Sequence, residues 1–223
     1  MIKKMNLEKK IELVDRGTGA EIFSSIVNGF GAIFALVAMI VIIVVASKTD
    51  RLDTLMCSVF YGISFFITYL FSCLYHALAY NNGKRALRAL TISSVSLLFL
   101  SMITTYNVLI FGVCKKMEVF VITSLVITLL TFIANIWNFE KFKYVRILGF
   151  LILTAIALAT AYFSLGSVTI VGAAFMLVSA ILYGLAFALH IFGYQIGYFN
   201  SIGHMLALTA NVFMFFTTLL YVI

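Results

Sequence analysis

The chain has 223 residues, of which 64% are hydrophobic and 10% are charged. Soluble domains carry about 25% charged residues, so the composition excludes a soluble globular protein and predicts an integral membrane protein. The net charge of +7 does not indicate nucleic-acid binding, because no basic patch alternates with aromatic residues on a polar face. We expect the lysines and arginines to lie at the membrane edges instead.

Seven apolar runs follow one another, and each is long enough to cross a bilayer as a helix. Their approximate bounds are 22–47, 55–79, 89–113, 119–139, 147–165, 167–189 and 200–222. The pattern predicts an all-α fold, a seven-transmembrane helix bundle, as one membrane domain over residues 22–223. Residues 1–21 carry charges of both signs and lack the apolar core of a signal peptide, which predicts a cytosolic N-terminal segment.

The basic residues indicate the orientation of the bundle. If the N-terminus is cytosolic, 11 of the 15 lysines and arginines fall in cytosolic segments and 4 fall in outer ones. Cytosolic loops carry an excess of basic residues. The sequence therefore predicts a multi-pass protein of the cell membrane, with its N-terminus in the cytosol and its C-terminus outside.

Polar side chains recur near one end of several runs. Three runs carry a pair four residues apart, a spacing that puts both side chains on one helix face. The pairs are Ser24/Asn28, Ser72/His76 and Asn200/His204. Thr91 opens the third run and Glu21 lies at the edge of the first. All of them fall at the cytosolic end in this orientation, so we expect a shared polar pocket one to two turns into the membrane, because buried hydroxyls and amides need polar partners.

Four segments together resemble a known family. They are residues 21–31 (EIFSSIVNGFG), the Ser72-x3-His76 motif with Tyr75 before the histidine, residues 87–90 (LRAL) and the Asn200-x3-His204 motif. The layout is similar to the hemolysin III branch of the progestin and adipoQ receptor (PAQR) superfamily, over almost the whole chain. The resemblance implies seven helices, a cytosolic N-terminus and a zinc ion held by Ser-x3-His and His-x3-His motifs. Some eukaryotic members are similar to ceramide-hydrolysing enzymes.

The chain departs from that family pattern at several metal-site positions. The first histidine of His-x3-His is Asn200, and the aspartate of the third run falls at Thr91. The asparagine and histidine of the first run fall at Ser24 and Asn28. Catalytic zinc takes about three strong protein ligands and a water, and a hydrolase also needs a base for that water. The resemblance therefore implies a degenerate metal site.

The candidate site residues keep two interpretations each. His76 and His204 are either hydrogen-bonded histidines of the bundle or, with Asn200, ligands of a weakened zinc site. Glu21 is either a helix-end carboxylate favoured by the helix dipole or a group that reaches the metal. His190 falls in the aromatic, glycine-containing connection before the seventh run, where we expect a surface histidine.

These features lead to three hypotheses about function. The first is a hemolysin III-like membrane protein with a polar, zinc-binding pocket near the cytosolic leaflet and weak or no catalysis. The second is a zinc-dependent membrane amide or lipid hydrolase that uses His76 and His204 as ligands. Ser72 is either its catalytic residue or a serine that hydrogen-bonds within the site or to its own helix. The third is a lipid-sensing bundle, or a cytolytic pore as the family name suggests. Membrane lipids are the expected partners, nucleic acid is not, and the sequence leaves the oligomeric state open.

Overall fold

The fold is an all-α bundle. The computed structural model describes residues 17–78, 84–112, 115–137, 141–192 and 197–223, and these residues form helices joined by short turns, with no strand among them. The helices are α1 (Thr18–Ala46), α2 (Leu52–Ala77), α3 (Lys84–Phe111), α4 (Lys115–Trp137), α5 (Lys143–Phe163), α6 (Ile170–Phe192) and α7 (Gly197–Thr217), which ends in a π-helical turn, Thr218–Val222. All seven are long and apolar enough to cross a membrane. The predicted fold class is confirmed.

Glycines mark two of the helix ends. Gly112 follows α3 with φ +65°, and Gly166 lies between α5 and α6 with φ +140°. L side chains rarely adopt these backbone angles, whereas glycine does so without steric cost. The segment predicted to precede the first span lies largely outside the described residues, and α1 already begins at Thr18.

Six of the helices form a closed ring. Along the ring, α1 packs on α2, α2 on α3, α3 on α5, α5 on α6, α6 on α7, and α7 returns to α1. The remaining helix, α4, packs on α3 and α5, outside the ring. Because consecutive helices run in opposite directions, one end of the bundle gathers the start of α1, α3, α5 and α7 and the end of α2 and α6.

The seam between α1 and α2 depends on small residues. The buried face of α1 is rich in alanine, glycine and serine, residues that let membrane helices approach closely. Gly31 lies directly against the ring of Tyr69, and a Cβ at position 31 would overlap that ring. This close approach holds the Tyr69 side chain inside the bundle, where it is 4% exposed.

Candidate functional site

All three histidines of the chain lie together at the end of the bundle where α1 begins. His76 is in the last turn of α2, His190 in the last turns of α6 and His204 in the first half of α7. The ring centroids of His76 and His204 are 4.8 Å apart, as are those of His190 and His204. The Nε2 atoms of His76 and His204 face each other at 3.0 Å.

Glu21 fixes the other side of the His76 ring. It lies in the first turn of α1, and its Oε2 atom is 2.7 Å from His76 Nδ1, with side-chain exposures of 5% and 2%. A carboxylate accepts from an imidazole N–H, so Nδ1 of His76 is protonated. This contact turns Nε2 of His76 toward His204, as outer carboxylates do for metal-binding histidines.

Asn200 and His190 complete the cluster on the side of α7 and α6. The Asn200 Nδ2 amide nitrogen lies 3.2 Å from His204 Nε2, and His190 Nδ1 lies 2.8 Å from Asn200 Oδ1. His190 therefore donates to the amide oxygen, and the amide nitrogen donates to His204. A hydrogen-bonded chain thus runs from Glu21 on α1 through α2 and α7 to α6.

Asn200 Nδ2 and His76 Nε2 both lie within hydrogen-bond distance of His204 Nε2. When Asn200 donates to His204 Nε2, that nitrogen is an acceptor, and a hydrogen bond from His76 then takes a proton on His76 Nε2 as well as on Nδ1. In this protonation state His76 is an imidazolium ion paired with the Glu21 carboxylate.

Serine side chains join α1 to α7 next to the cluster. The hydroxyls of Ser24 and Ser201 lie 2.8 Å apart, and Ser201 donates to the Ala20 carbonyl oxygen at 3.3 Å. Asn28 donates to the Ser24 carbonyl oxygen at 2.7 Å. Ser24, which the sequence predicts in the pocket, faces α7 and is not among the residues that line the cavity described next.

A cavity of about 590 Å³ opens beside the histidines inside the ring of helices. Asn28, Ser72 and Thr91, all predicted for the pocket, line it with the three histidines and Asn200. The Ser72 and Thr91 hydroxyls are buried and have no hydrogen-bond partner within the protein. Buried polar atoms are normally paired, so these two hydroxyls are exceptions next to the cavity.

Basic and apolar side chains both line the cavity. Arg88 in α3 and both Lys143 and Arg146 in the first turn of α5 form a basic end, on the side of the bundle where these helices begin. Apolar side chains of α3, α5 and α6 line the middle, including Val95, Phe150 and Phe187. The cavity therefore offers a basic end and an apolar wall beside the histidine cluster.

A second polar layer forms the floor of the cavity. Asn211 donates to the Tyr69 hydroxyl at 2.8 Å, and the Tyr183 hydroxyl donates to Asn211 Oδ1. Each of the three lies seven residues from one of the histidines on the same helix, which is about 10.5 Å deeper in the bundle. This layer was not predicted from the sequence, although an asparagine in the middle of an apolar run is a signal for it.

The number and type of ligand atoms in the cluster determine which cations it can bind. Within the described ranges, no three His, Cys, Asp or Glu side chains are arranged to ligate one metal ion. Two nitrogens on one tetrahedral zinc, each at about 2.0–2.1 Å from it, would lie about 3.3 Å apart, close to the 3.0 Å between His76 and His204. The cluster therefore offers two imidazole nitrogens, while Asn200 presents its amide nitrogen rather than its oxygen to His204. It does not fit the three-ligand set of a hydrolytic zinc centre.

The expectation for His190 is wrong. It was placed in a connecting segment at the surface, but α6 continues to Phe192, so His190 lies on the helix and faces Asn200 and His204. The sixth apolar run was ended at residue 189, before the aromatic residues of the helix end. The apolar pair Ile191–Phe192, directly after the histidine, was the signal that the helix continues.

The fold and the cluster define a class of protein: a seven-helix integral membrane protein with a buried polar site near one end of the bundle. Comparisons with known proteins agree with this class. The family described as "Haemolysin-III related" matches residues 19–215. A relative named "Hemolysin-3", from Bacillus cereus, is 27% identical over 211 residues, which cover 91% of this chain and 92% of the relative. The chain belongs to the haemolysin III family.

Proposed function

We propose that the function of this haemolysin III family member is centred on a bound cation, most readily zinc, near the cytosolic leaflet. His76 and His204 would hold the ion, with Asn200 as a third polar group, and Glu21 would hold His76 in place. The observation that supports this proposal is the pair of Nε2 atoms facing each other at 3.0 Å. Bound zinc would supply a positive charge and a Lewis acid at this point.

We further propose that the protein is weakly catalytic or non-catalytic. A hydrolytic metal site needs a third strong ligand and a base for its water. The carboxylate that reaches the cluster, Glu21, is bonded to His76 on the side away from His204. It therefore acts on the orientation of His76 and is poorly placed to activate a water at the centre of the cluster.

Metal analysis of protein purified in detergent without chelator tests the proposal. We expect zinc in an amount approaching one per chain, and its loss in His204→Ala, because binding depends on both imidazoles. Thr209→Ala, on an exposed position of the same helix, is the matched control and should keep the zinc. Less than about a tenth of a zinc per chain in the parent protein would contradict the proposal.

We also propose that the protein lies in the cell membrane with its N-terminus in the cytosol. The excess of basic residues at the end that carries the histidines supports this orientation. Labelling with a membrane-impermeant thiol reagent, applied to intact cells, tests it in a variant whose own cysteines are removed. A cysteine at Thr49, between α1 and α2, should react, and one at Tyr144, at the start of α5, should react only after lysis. The opposite pattern would overturn the orientation.

A second candidate function is lipid sensing through the cavity. Its volume of about 590 Å³ lies in the range of about 300–1,000 Å³ that is usual for small-ligand sites. The apolar middle suits one acyl chain, and the basic end formed by Arg88, Lys143 and Arg146 suits an anionic headgroup.

Thermal-shift measurements test the lipid hypothesis. A single-chain amphiphile with a phosphate or carboxylate headgroup should raise the unfolding temperature, because a ligand that binds only the folded state stabilises it. A neutral amphiphile of the same chain length should raise it less. Lys143→Gln should reduce the difference between the shifts that the charged and the neutral amphiphile produce. Lys48→Gln is the control, because Lys48 lies beyond the opposite end of the bundle, and it should leave that difference unchanged. Equal shifts for charged and neutral amphiphiles would contradict the hypothesis.

A further inference from the structure

Two neighbouring helices present the same order of side chains to the cavity, basic near the start of the helix and apolar deeper in the bundle. On α3, Arg88 lies in the second turn, and Val95 follows it by seven residues, which is about 10.5 Å along the axis. On α5, Arg146 lies in the first turn, and Phe150 follows it one turn later. Because α3 packs on α5, these side chains form one wall, which changes from basic to apolar with depth.

The start of α5 combines an opening of the cavity with a buried positive charge. Lys143 and Tyr144 line the cavity and are exposed, so the cavity reaches the surface of the bundle there. Arg146 also lines the cavity but is only 7% exposed. The residue before the helix, Phe142, has no polar side chain to cap the first backbone N–H groups of α5, whose partial positive charge favours an anion. A buried guanidinium, an exposed ammonium and a helix N-terminus thus lie within one turn at this opening.

Charge, rather than the apolar part of the wall, must select a lipid in this cavity. A lipid chain that enters it leaves surroundings that are as apolar as the cavity itself, so the transfer of the chain contributes little to selection. Among the described residues that line the cavity, three are lysine or arginine and none is acidic. The headgroup that forms the most charge-assisted hydrogen bonds with these side chains is therefore the one that binds best.

The number of basic side chains distinguishes between two kinds of anionic headgroup. A carboxylate has one negative charge and two oxygens, whereas a phosphate monoester carries a charge of about −1.5 to −2 and three strong acceptor oxygens. A guanidinium group binds phosphate through two parallel N–H bonds. We propose that the cavity binds a single-chain phosphate monoester, with its phosphate at Arg88, Lys143 and Arg146 and its chain along Val95 and Phe150. This proposal rests on the lipid-sensing function given above as the second candidate and names the headgroup that this function requires.

Binding of matched amphiphiles to the protein in maltoside micelles tests the proposal. Isothermal titration calorimetry gives the dissociation constants of dodecyl phosphate, dodecanoate and zwitterionic dodecyl phosphocholine, which share one chain length. We expect dodecyl phosphate to bind at least about tenfold more tightly than dodecanoate, because it forms one further charge-assisted hydrogen bond. Methyl phosphate, which has the headgroup without the chain, should bind more weakly than both.

The possible results separate this proposal from lipid sensing in general. Equal affinity for the phosphate and the carboxylate, with both above the phosphocholine, would overturn the proposal and leave lipid sensing supported. Equal affinity for all three amphiphiles would contradict lipid sensing itself. Methyl phosphate that binds as tightly as dodecyl phosphate would also overturn the proposal, because the basic end would then be a site for a soluble phosphate.

Substitutions at the basic end test where the phosphate binds. Arg146→Gln and Arg88→Gln should each bring the ratio of the two dissociation constants, for dodecanoate and dodecyl phosphate, closer to one. Lys141→Gln is the matched control, because Lys141 is exposed at the same end of the bundle and does not line the cavity, and it should keep the ratio of the parent protein. The unfolding temperature without ligand shows whether each variant is folded, and Arg88→Gln decides the test if the buried Arg146 cannot be replaced. An unchanged ratio in Arg88→Gln, or in a folded Arg146→Gln, would overturn the proposed position of the phosphate.

Discussion

Replacement of Glu21 tests how much its buried contact with His76 stabilises the folded protein. The Glu21 carboxylate and the His76 ring are almost completely buried and 2.7 Å apart. Removal of one partner from a buried charged pair costs about 3–5 kcal/mol, because the other is left without compensation. We therefore expect Glu21→Ala to lower the free energy of unfolding by about that amount. Glu21→Gln keeps an acceptor for the His76 N–H but loses the charge, which we expect to cost about 1–2 kcal/mol.

The assay is reversible unfolding in mixed micelles, in which the helix signal is followed by circular dichroism as the fraction of denaturing detergent rises. Glu118→Gln is the matched control, since Glu118 also lies in the first turn of a helix but is exposed. It should stay within about 0.5 kcal/mol of the parent protein. If Glu21→Gln and Glu21→Ala both match this control, the buried pair does not stabilise the bundle. The pairing of an imidazolium His76 with the Glu21 carboxylate is then wrong.

Further substitutions test the packing around the site with the same unfolding measurement. Gly31→Ala should cost about 1–3 kcal/mol, because the new methyl group overlaps a buried tyrosine ring. Gly29→Ala, whose Cβ would meet only a sulfur atom at 3.5 Å, should be tolerated, and equal costs would contradict this difference. Ser72→Ala should stay within about 0.5 kcal/mol, because its hydroxyl has no partner within the protein to lose; a large loss would mean that an unseen partner exists. Asn211→Leu should cost about 1–3 kcal/mol, because two buried tyrosine hydroxyls lose their partner, and a neutral result would contradict the role of the second polar layer.

The fold class could be predicted from the sequence because of the bilayer. Backbone polar groups must be satisfied inside a membrane, so apolar runs of this length have few alternatives to helices. The order in which the helices pack was not predictable in the same way. That α4 lies outside the ring, and that α3 contacts α5 directly, depends on side-chain packing across helices, which hydrophobicity along the chain does not report.

The candidate site could be predicted in part. The four-residue spacing in Ser72/His76 and Asn200/His204 places each pair on one helix face, and the alternation of helix direction brings those faces to one end. In the structure, Nε2 of His76 contacts His204, and Glu21 contacts the other ring nitrogen of His76. What spacing along a helix cannot supply is the partner across helices, which explains why Glu21 was assigned only to a helix end or to the metal itself.

The role of His190 was missed for a different physical reason. Hydrophobicity marks where a helix leaves the hydrocarbon layer, whereas the helix itself ends where its backbone hydrogen bonds end. In α6 these two points differ by a few residues, and His190 lies between them. The basic end of the cavity was missed for the same reason, since the predicted runs leave residues 140–146 outside the helices, whereas Lys143 and Arg146 lie in the first turn of α5.

The central claim is that His76 and His204 would bind one cation, each through its Nε2 atom. Nuclear magnetic resonance of ¹⁵N-histidine-labelled protein tests it most directly, because the chain has only three histidines and His190→Gln identifies one of them. On addition of zinc, we expect the Nε2 resonances of His76 and His204 to change together, with the same dependence on zinc concentration, while Nδ1 of His76 remains protonated by its contact with Glu21. If the two resonances change at different zinc concentrations, or if neither changes, the two imidazoles do not hold a common ion and the account is contradicted.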